Sequence, residues 1–448
     1  QVVLNDSLGS IFTGVVTLQA LKIKNIGFFY LLFQGTLDID AIELHDLNGT
    51  LLKSEKLKKT REKDTTTHTE VDIDVSLSHL ILKNTNVRIY DTEKDSLFLS
   101  LQNFNLDVRA IKIDNNTLAK SLPFVCEDYS IQSDSIFVKA GAHENLSIAQ
   151  LSGNHFKTGM KNLHYRNKYS RTEYASILSA QRDHFDISID TIVLQNTSLE
   201  AVEDQKLGIG IQKIDFKHPE IEIYRDKLVA DAYSEKKFYS SILRESGLDI
   251  SIDTFNITGA RLVYTERTKE ENTGGDIIFD DMDISMKNLG NTYMDDTIID
   301  MNASFMNVSP FTSKWRFNVA NTSDSFQFDG QLGFLDVQTL NQYTEPTMNV
   351  DLAGRIHKMY FAINGTNASS KMDLSVDYDH LAVSILNQKT KKKRKILSSV
   401  ANILLSHKSK SASSELKTVQ VNVERDRSKS FINFVVKNIK EGMTKVLL

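Results

Sequence analysis

Four stretches of this chain repeat one strand pattern whose apolar parity turns over at a fixed point. In Ile187–Asn196, Ile187 and Ile189 share one face, and the apolar positions resume at Ile192 and Leu194, the other parity. Strand side chains alternate with period two. Such a shift therefore turns the apolar set to the wrong side unless one extra residue is taken up as a bulge or corner. The same break follows Val75 and Leu77 (then Leu80, Leu82), Ile131 and Ser133 (then Ile136, Val138), and Ile250 and Ile252 (then Phe255, Ile257). A weaker echo sits at Leu37, Ile39, Ile42 and Leu44. The copies begin at 75, 131, 187 and 250, so they are spaced by 56, 56 and 63 residues. A parity shift that recurs at one offset implies a repeated β unit.

A length of 448 residues would ordinarily suggest several globular domains. Proline occurs only four times (Pro123, Pro219, Pro310, Pro346) and glycine 20 times, so no Pro- or Gly-rich linker marks a boundary. One extended, continuously hydrogen-bonded β body over residues 1–388 is expected, followed by a different segment over 389–448. A net charge of −5 gives no general affinity for nucleic acid. The single cysteine, Cys126, excludes an intramolecular disulfide and fits either a reducing or an oxidising compartment. No run reaches the roughly 18–20 apolar residues that span a bilayer. The nearest, Ile26–Phe33, is long enough for a buried strand and no more. The chain starts at Gln1 rather than methionine, which suggests that an N-terminal signal or anchor preceded it.

From residue 11 to about 390 the pattern is strand and turn. Polar clusters at Asn48-Gly49, Asn84-Thr85-Asn86, Asp114–Asn116, Asn272–Gly275 and Asn321–Asp324 separate the alternating runs as hairpin loops would. Lys227–Arg244 is less strand-like and suits a short helix or loop. The charged stretch Lys53–Asp64 lacks the aromatic or further basic support of a nucleic-acid patch and reads as a solvated insertion. Beyond Lys391, Lys392, Lys393, Arg394 and Lys395, the residues Ile396, Leu397, Val400, Ile403 and Leu404 recur at helical spacing. A strand follows (Val419, Val421, Val423), and then a second helical pattern through Phe431, Phe434, Val435, Ile439, Met443 and Val446. The basic run opposes the macrodipole of the helix it precedes, so helix stability does not explain it. It is either a solvated turn or a membrane-surface patch for anionic headgroups.

Clean alternation makes one wet and one apolar sheet face. Little helix is available before residue 396 to cover so much apolar surface. The sheet must close into a barrel, pair as a sandwich, or curl into a trough around something apolar. A closed aqueous barrel is disfavoured, because the turns show no lipid-facing aromatic girdle rhythm. Periodicity alone leaves sandwich and trough open.

No catalytic constellation is visible. The eleven histidines are scattered, and His155 and His164 are nine apart with no ligand spacing. Asp281 and Asp283 share a strand face but lack the Gly and distal Glu of a calcium loop. Gly208-Ile209-Gly210 precedes no helix and is no nucleotide fingerprint. Neither a metal nor a cofactor is expected, nor enzymatic activity. Asn-x-Ser/Thr sequons such as those at Asn302, Asn307, Asn364 and Asn367 read as polar turns. The single Trp315, alternating with Phe317 and Val319, reads as core.

Residues 326–385 are more particular. Phe326–Gly333 leads into Leu340-Asn341, then Met348–Ile356, Met359-Tyr360-Phe361, Met372–Tyr378 and Leu381-Ala382-Val383. This order, before a basic stretch and a last amphipathic helix, resembles the C-terminal β region of AsmA-like proteins of the Bacteroidota type, relatives of the bridge-like envelope lipid transporters. The repeated strand Ile189–Asn196 is similar to that family too. The resemblance implies an elongated twisted antiparallel sheet, curled into a trough from repeated β units, with C-terminal amphipathic helices. It also implies a periplasmic protein held at the inner membrane by an N-terminal segment outside this chain, supporting outer-membrane biogenesis in a Gram-negative envelope. The implied partner is phospholipid or another acyl-chain ligand, with membrane contact. Val75, Leu77, Ile187, Ile189, Leu194, Ile250, Ile252 and Ile257 are the lipid-groove candidates, and Lys391–Lys395 the membrane-surface candidates. The rival expectation is a structural scaffold that binds an envelope protein partner.

Overall fold

A computed structural model describes residues 2–4, 12–53, 74–91, 96–118, 120, 122–202, 206–387 and 416–447. The basic run Lys391–Lys395, the helix expected from Ile396 and nearly all of Lys53–Asp64 lie outside the described residues. The described chain is mainly β, and its strands join one mixed sheet. Contacts divide the chain into two compact units. The first comprises Gln1–Lys168, Ser188–Asp215 and Gly247–Ser251; the second comprises Tyr169–Ile187, Phe216–Ser246 and Ile252–Leu448.

The first unit contains β1 (Val2–Leu4), β2 (Phe12–Thr17), β3 (Ala20–Gly27), β4 (Thr36–His45), β5 (Asn48–Lys53) and β6 (Asp74–Asp91). It continues with β7 (Ser96–Ile113), β8 (Asp128–Ser133), β9 (Ser135–Val138), β10 (Glu144–Asn154) and β11 (Lys157–Asn167). Two short helices, α1 (Phe28–Gln34) and α2 (Asn115–Leu118), interrupt them. Three long strands supply residues to both units: β12 (His184–Ala201), β13 (Leu207–Asp226) and β14 (Leu248–Arg267).

The parity break is a corner that whole strands share. Leu77 lies opposite Ile111 on β7, and Leu80 opposite Val108. On the other side of β6, Ile39 is level with Leu77 and Ile42 with Leu80; beyond that, Ile26 faces Ile39 and Ile23 faces Ile42. Four neighbouring strands thus make the same three-residue apolar step at the same level. Each spends one residue on it: Asn25, Asp40, Ser78 and Ala110. Asn25 (φ 49°) and Ala110 (φ 52°) take it in the left-handed region. Because every strand gains the residue together, the pairing runs through the corner without a slip. Ile39, Leu77 and Ile111 are buried there, with Leu37, Ile42, Leu80, Val108, Ile113 and Phe124 packed round them. The 131–138 copy behaves alike. The chain splits into β8 and β9 at Asp134, and the steps Ser133-to-Ile136 and Ile148-to-Leu151 lie opposite one another.

Two sequence expectations are corrected. The sheet is not wholly antiparallel, because β4 and β5 lie end to end along β6 and both run parallel to it. Asp46 (φ 53°) kinks the chain between them, so Asn48-Gly49 opens the next strand rather than turning a hairpin. Asn84-Thr85-Asn86 is likewise no loop but the interior of β6. Asn84 (φ 52°) adds one residue to β6 and Asn103 (φ 46°) one to β7, and the two bulges cancel. The Asn84 N–H donates to Asn105 Oδ1 (2.9 Å) and the Asn103 N–H to Asn86 Oδ1 (3.0 Å), so asparagine side chains replace the missing ladder bonds. Asparagine suits these places because it tolerates the left-handed region. The other three polar clusters do fall between strands.

The second unit adds β15 (Gly275–Gly290), β16 (Thr297–Phe305), β17 (Ser309–Phe317), β18 (Phe326–Leu332), β19 (Leu335–Asp336), β20 (Val350–Gly365), β21 (Ser369–Ile385) and β22 (Lys417–Glu424). Its helices are α3 (Arg171–Ile177), α4 (Tyr239–Arg244), α5 (Asn341–Met348) and α6 (Phe431–Leu447). The less strand-like stretch near residue 240 is accordingly a short helix. Strands β16, β17, β18, β20, β21 and β22 pair antiparallel in that order. One face is apolar: Phe361, Ile363, Met372, Leu374, Val376 and Val423 are all buried. Helix α6 lies on that face through Phe431, Phe434, Val435 and Val446. Its backbone comes so close at Gly442 that a Cβ there would stand 2.3 Å from Met372 Cε. Trp315 stacks on Phe431 at 4.1 Å and 9°, in the core as expected. Within this cover, Asn438 is fully buried. It accepts from the Ser370 hydroxyl (2.9 Å) and donates to the Phe434 carbonyl (2.9 Å).

Phe434→Ala should therefore destabilise the second unit by about 3–5 kcal/mol, read as a lowered urea midpoint. An unchanged midpoint would mean that α6 is not part of the core.

Candidate functional site

Among the groove candidates, Leu77 and Ile189 are buried, while Val75, Ile187, Leu194, Ile250, Ile252 and Ile257 are half-buried. Val75, Leu77, Ile189, Leu194 and Ile250 fall in the first unit; Ile187, Ile252 and Ile257 fall in the second. In the 187 copy, Ile189 and Ile192 are exposed by only 6% and 4%, so both sides of that parity break are buried alike.

The two units treat their apolar faces differently. The second assembles a cluster of 20 buried residues, sealed by α6. In the first, the corner cluster has three buried residues, and the helices within Gln1–Lys168 among the described residues are α1 and the single-turn α2. Among the described residues of the first unit there is no helix of α6's length. Leu80, Leu82, Val108, Leu106, Ile131 and Ile136 remain half-buried along the corner lines. The result is an apolar surface that is dry at Ile39, Leu77 and Ile111 and only partly covered around them.

The prominent polar clusters of the second unit fasten loops to strands. Asp324, only 3% exposed, accepts hydrogen bonds from the hydroxyls of Ser240 (2.8 Å) and Ser241 (2.6 Å) and from Arg244 Nη2 (2.9 Å). Arg244 also donates to the carbonyls of Val319 and Asn321, so one ion pair ties α4 to the β17–β18 connection. Burial alone would raise the Asp324 pKa. The donors from Ser241, Arg244 and Ser240 outweigh it and hold the carboxyl below its usual value. Arg225 grips Asp183 through two bonds, at 2.7 and 2.6 Å. Arg267 pairs with Asp226 at 3.0 Å. Tyr264 donates to Glu266 (2.9 Å), and burial, then the charge of Glu266, raise its pKa. These partners are far apart in sequence or mixed among ordinary surface charges, which is why the pattern of residues did not reveal them.

Opposite the α6 face, Asp300, Lys314, Asp329, Tyr360 and Asp373 line a shallow open depression. Lys314 pairs with Asp300 at 3.3 Å, Gln327 donates to Asp329 (2.8 Å) and Gln420 to Asp373 (2.6 Å), so each carboxylate has a partner as on a solvated sheet face. Asp281 sits in a bulge (φ 46°), and Asp283 accepts the Gly259 N–H at 2.9 Å. Among the described residues no group of three potential ligands converges on one point, and no helix is long and apolar enough to cross a membrane. Ile26–Phe33 is not the buried strand its hydropathy suggested: it ends β3 and forms α1, which is largely exposed.

Comparison with protein-family models and with curated proteins gives no match for this chain.

The Asp324 cluster makes a pH prediction. A folded-state pKa below the unfolded one stabilises above the unfolded value, and that stability is lost as pH falls through the folded value. The α4 attachment should be intact above about pH 5 and weaken below about pH 4. Asp324→Asn should cost about 1–3 kcal/mol at neutral pH and flatten the acid limb of a urea-midpoint-against-pH curve. A variant with the wild-type acid limb would refute this assignment.

Proposed function

We propose that the protein is a non-enzymatic lipid-binding protein that holds, and passes along, phospholipid acyl chains on the apolar face of its β-sheet. The observation that carries this is the contrast in cover: the second unit seals its apolar face with α6, whereas the first leaves a creased aliphatic face half-accessible. Apolar surface left partly open to water is costly unless it has an occupant. The half-buried flanks of the corners are Leu, Ile and Val, side chains that offer area without direction. Burial contributes about 0.8 kcal/mol per methylene, so a tail is retained while no single contact fixes its position. Sliding then needs no chemical step, and no residue has a catalytic role.

The envelope setting belongs to the same proposal: a periplasmic protein anchored at the inner membrane and supporting outer-membrane biogenesis. Its support is the resemblance of residues 326–385 and of the repeated strands to AsmA-like proteins. The segment Lys391–Lys395 would add headgroup contact there.

Native mass spectrometry with lipid extraction on the full chain tests the reading. Phospholipid should co-purify with the wild type, and Leu194→Asp or Ile250→Asp, both in the first unit, should lower occupancy severalfold with the urea midpoint little changed. A lipid-free wild type that retains its envelope function would favour the scaffold reading.

A further inference from the structure

Helix α1 interrupts the turn from β3 to β4 and ends at Gly35 in the left-handed conformation (φ 69°). Its residues Phe28-Phe29-Tyr30-Leu31-Leu32-Phe33 carry no charge. Phe28, Phe29, Tyr30, Leu32 and Phe33 are 62%, 64%, 47%, 78% and 71% exposed. Leu31 alone is half-buried, on the side that packs against β4. The adjoining strand β3 continues the apolar surface through Leu21 and Ile23, 57% and 51% exposed.

Three features identify what this knob fits. At about 100° per residue, the five exposed side chains fan over roughly 200° of the helix circumference. A protein groove accepts a stripe of i, i+3 and i+4 residues about 100° wide, so any groove would leave some of these rings in water. Five side chains of this kind, each about one-half to three-quarters exposed, present on the order of 500–600 Å². That is below the roughly 800 Å² per partner of a stable protein interface, so a second copy seated on this knob is underprovided. Lastly, the interfacial region of a bilayer takes up apolar side chains to a depth of roughly 5–10 Å and, unlike a groove, surrounds a knob on every exposed side.

We propose that α1 is a membrane-docking knob that inserts its aromatic and leucine side chains into the interfacial region of a phospholipid bilayer. Lys24, the cation nearest to α1 in sequence, does not drive it. Lys24 is taken up by Glu43 at 2.6 Å, and the Lys24 and His45 hydrogen bonds in turn hold the Glu43 carboxyl at about 2. Insertion is therefore apolar, tolerates salt, and does not need an anionic lipid. It is separate from the lipid-binding face, which lies on other residues, and it stands whether or not that face carries lipid.

The test is flotation of the full chain with vesicles of pure phosphatidylcholine at high salt, where headgroup attraction to Lys391–Lys395 is screened. The wild type is expected to float. Phe29→Asp/Phe33→Asp should reduce the bound fraction by roughly tenfold or more, with an unchanged urea midpoint because both positions are exposed. The amount of co-purified phospholipid should also stay at the wild-type level, which separates this result from failure of the lipid-binding face. A wild type that stays with the soluble fraction would overturn the proposal, as would a double variant that floats equally well. So would a concentration-dependent dimer, abolished by the double variant, from a wild type that does not float; the knob would then be a contact between copies.

Discussion

A sheet one layer thick has two faces, and period-two alternation makes one of them apolar along its whole length. Every other feature of this chain answers the question of what keeps water from that face. The strands are long, with β6 and β12 of 18 residues and β13 and β14 of 20, well beyond the usual 3–10. Long strands lengthen the apolar stripe in proportion. The chain has few prolines to end them and instead bends them, one residue at a time.

The second unit gives the familiar answer. Residues 431–447 form an amphipathic helix whose apolar side is laid on β20–β22, and its own Phe431 interlocks with Phe238, Trp315, Phe326 and Phe328. Gly442 and Gly330 mark where the packing is closest. A Cβ on Gly442 would meet Met372, and one on Gly330 would clash with the tip of the Phe361 ring. The first unit gives a different answer, with the strands themselves creased along common lines.

Much of this was legible in the residues. Mainly β architecture, a C-terminal amphipathic helix, Trp315 in the core and a corner at the parity breaks of β4, β6 and β8–β9 follow from periodicities that a strand or helix cannot hide. The parallel placement of β4 and β5 was not legible, because Asn48-Gly49 carries the composition of a hairpin turn and only the pairing with β6 shows the chain running straight on. Asn84-Thr85-Asn86 misled for a related reason: asparagine serves a turn and a bulge through the same left-handed backbone. Of the candidate site, the apolar positions were legible, but their degree of cover was not. Leu77 and Ile189 are buried while Val75 and Leu194 are half-exposed, and alternation treats all four alike. Hydropathy also misjudged Phe28–Phe33, since a run of apolar residues reads as buried whether it enters a core or leaves one.

The corners explain how an uncovered apolar face can persist in water. At Leu77 and Leu80 the inserted Ser78 turns the strand, so side chains three apart project to the same side and meet across the bend. Repeated in β3, β4 and β7 at the same level, this gathers Ile39, Leu77 and Ile111 into a dry line running across the strands. Burial gathers where the strands turn, and away from that corner it is taken up again at Ile89 and Ser100. A flat sheet of the same composition would need a second layer everywhere; a creased one needs cover only in the intervals. Those intervals are aliphatic, a few residues long and bounded by stable lines, which is the form of surface on which a chain of methylenes can lie without being fixed in place.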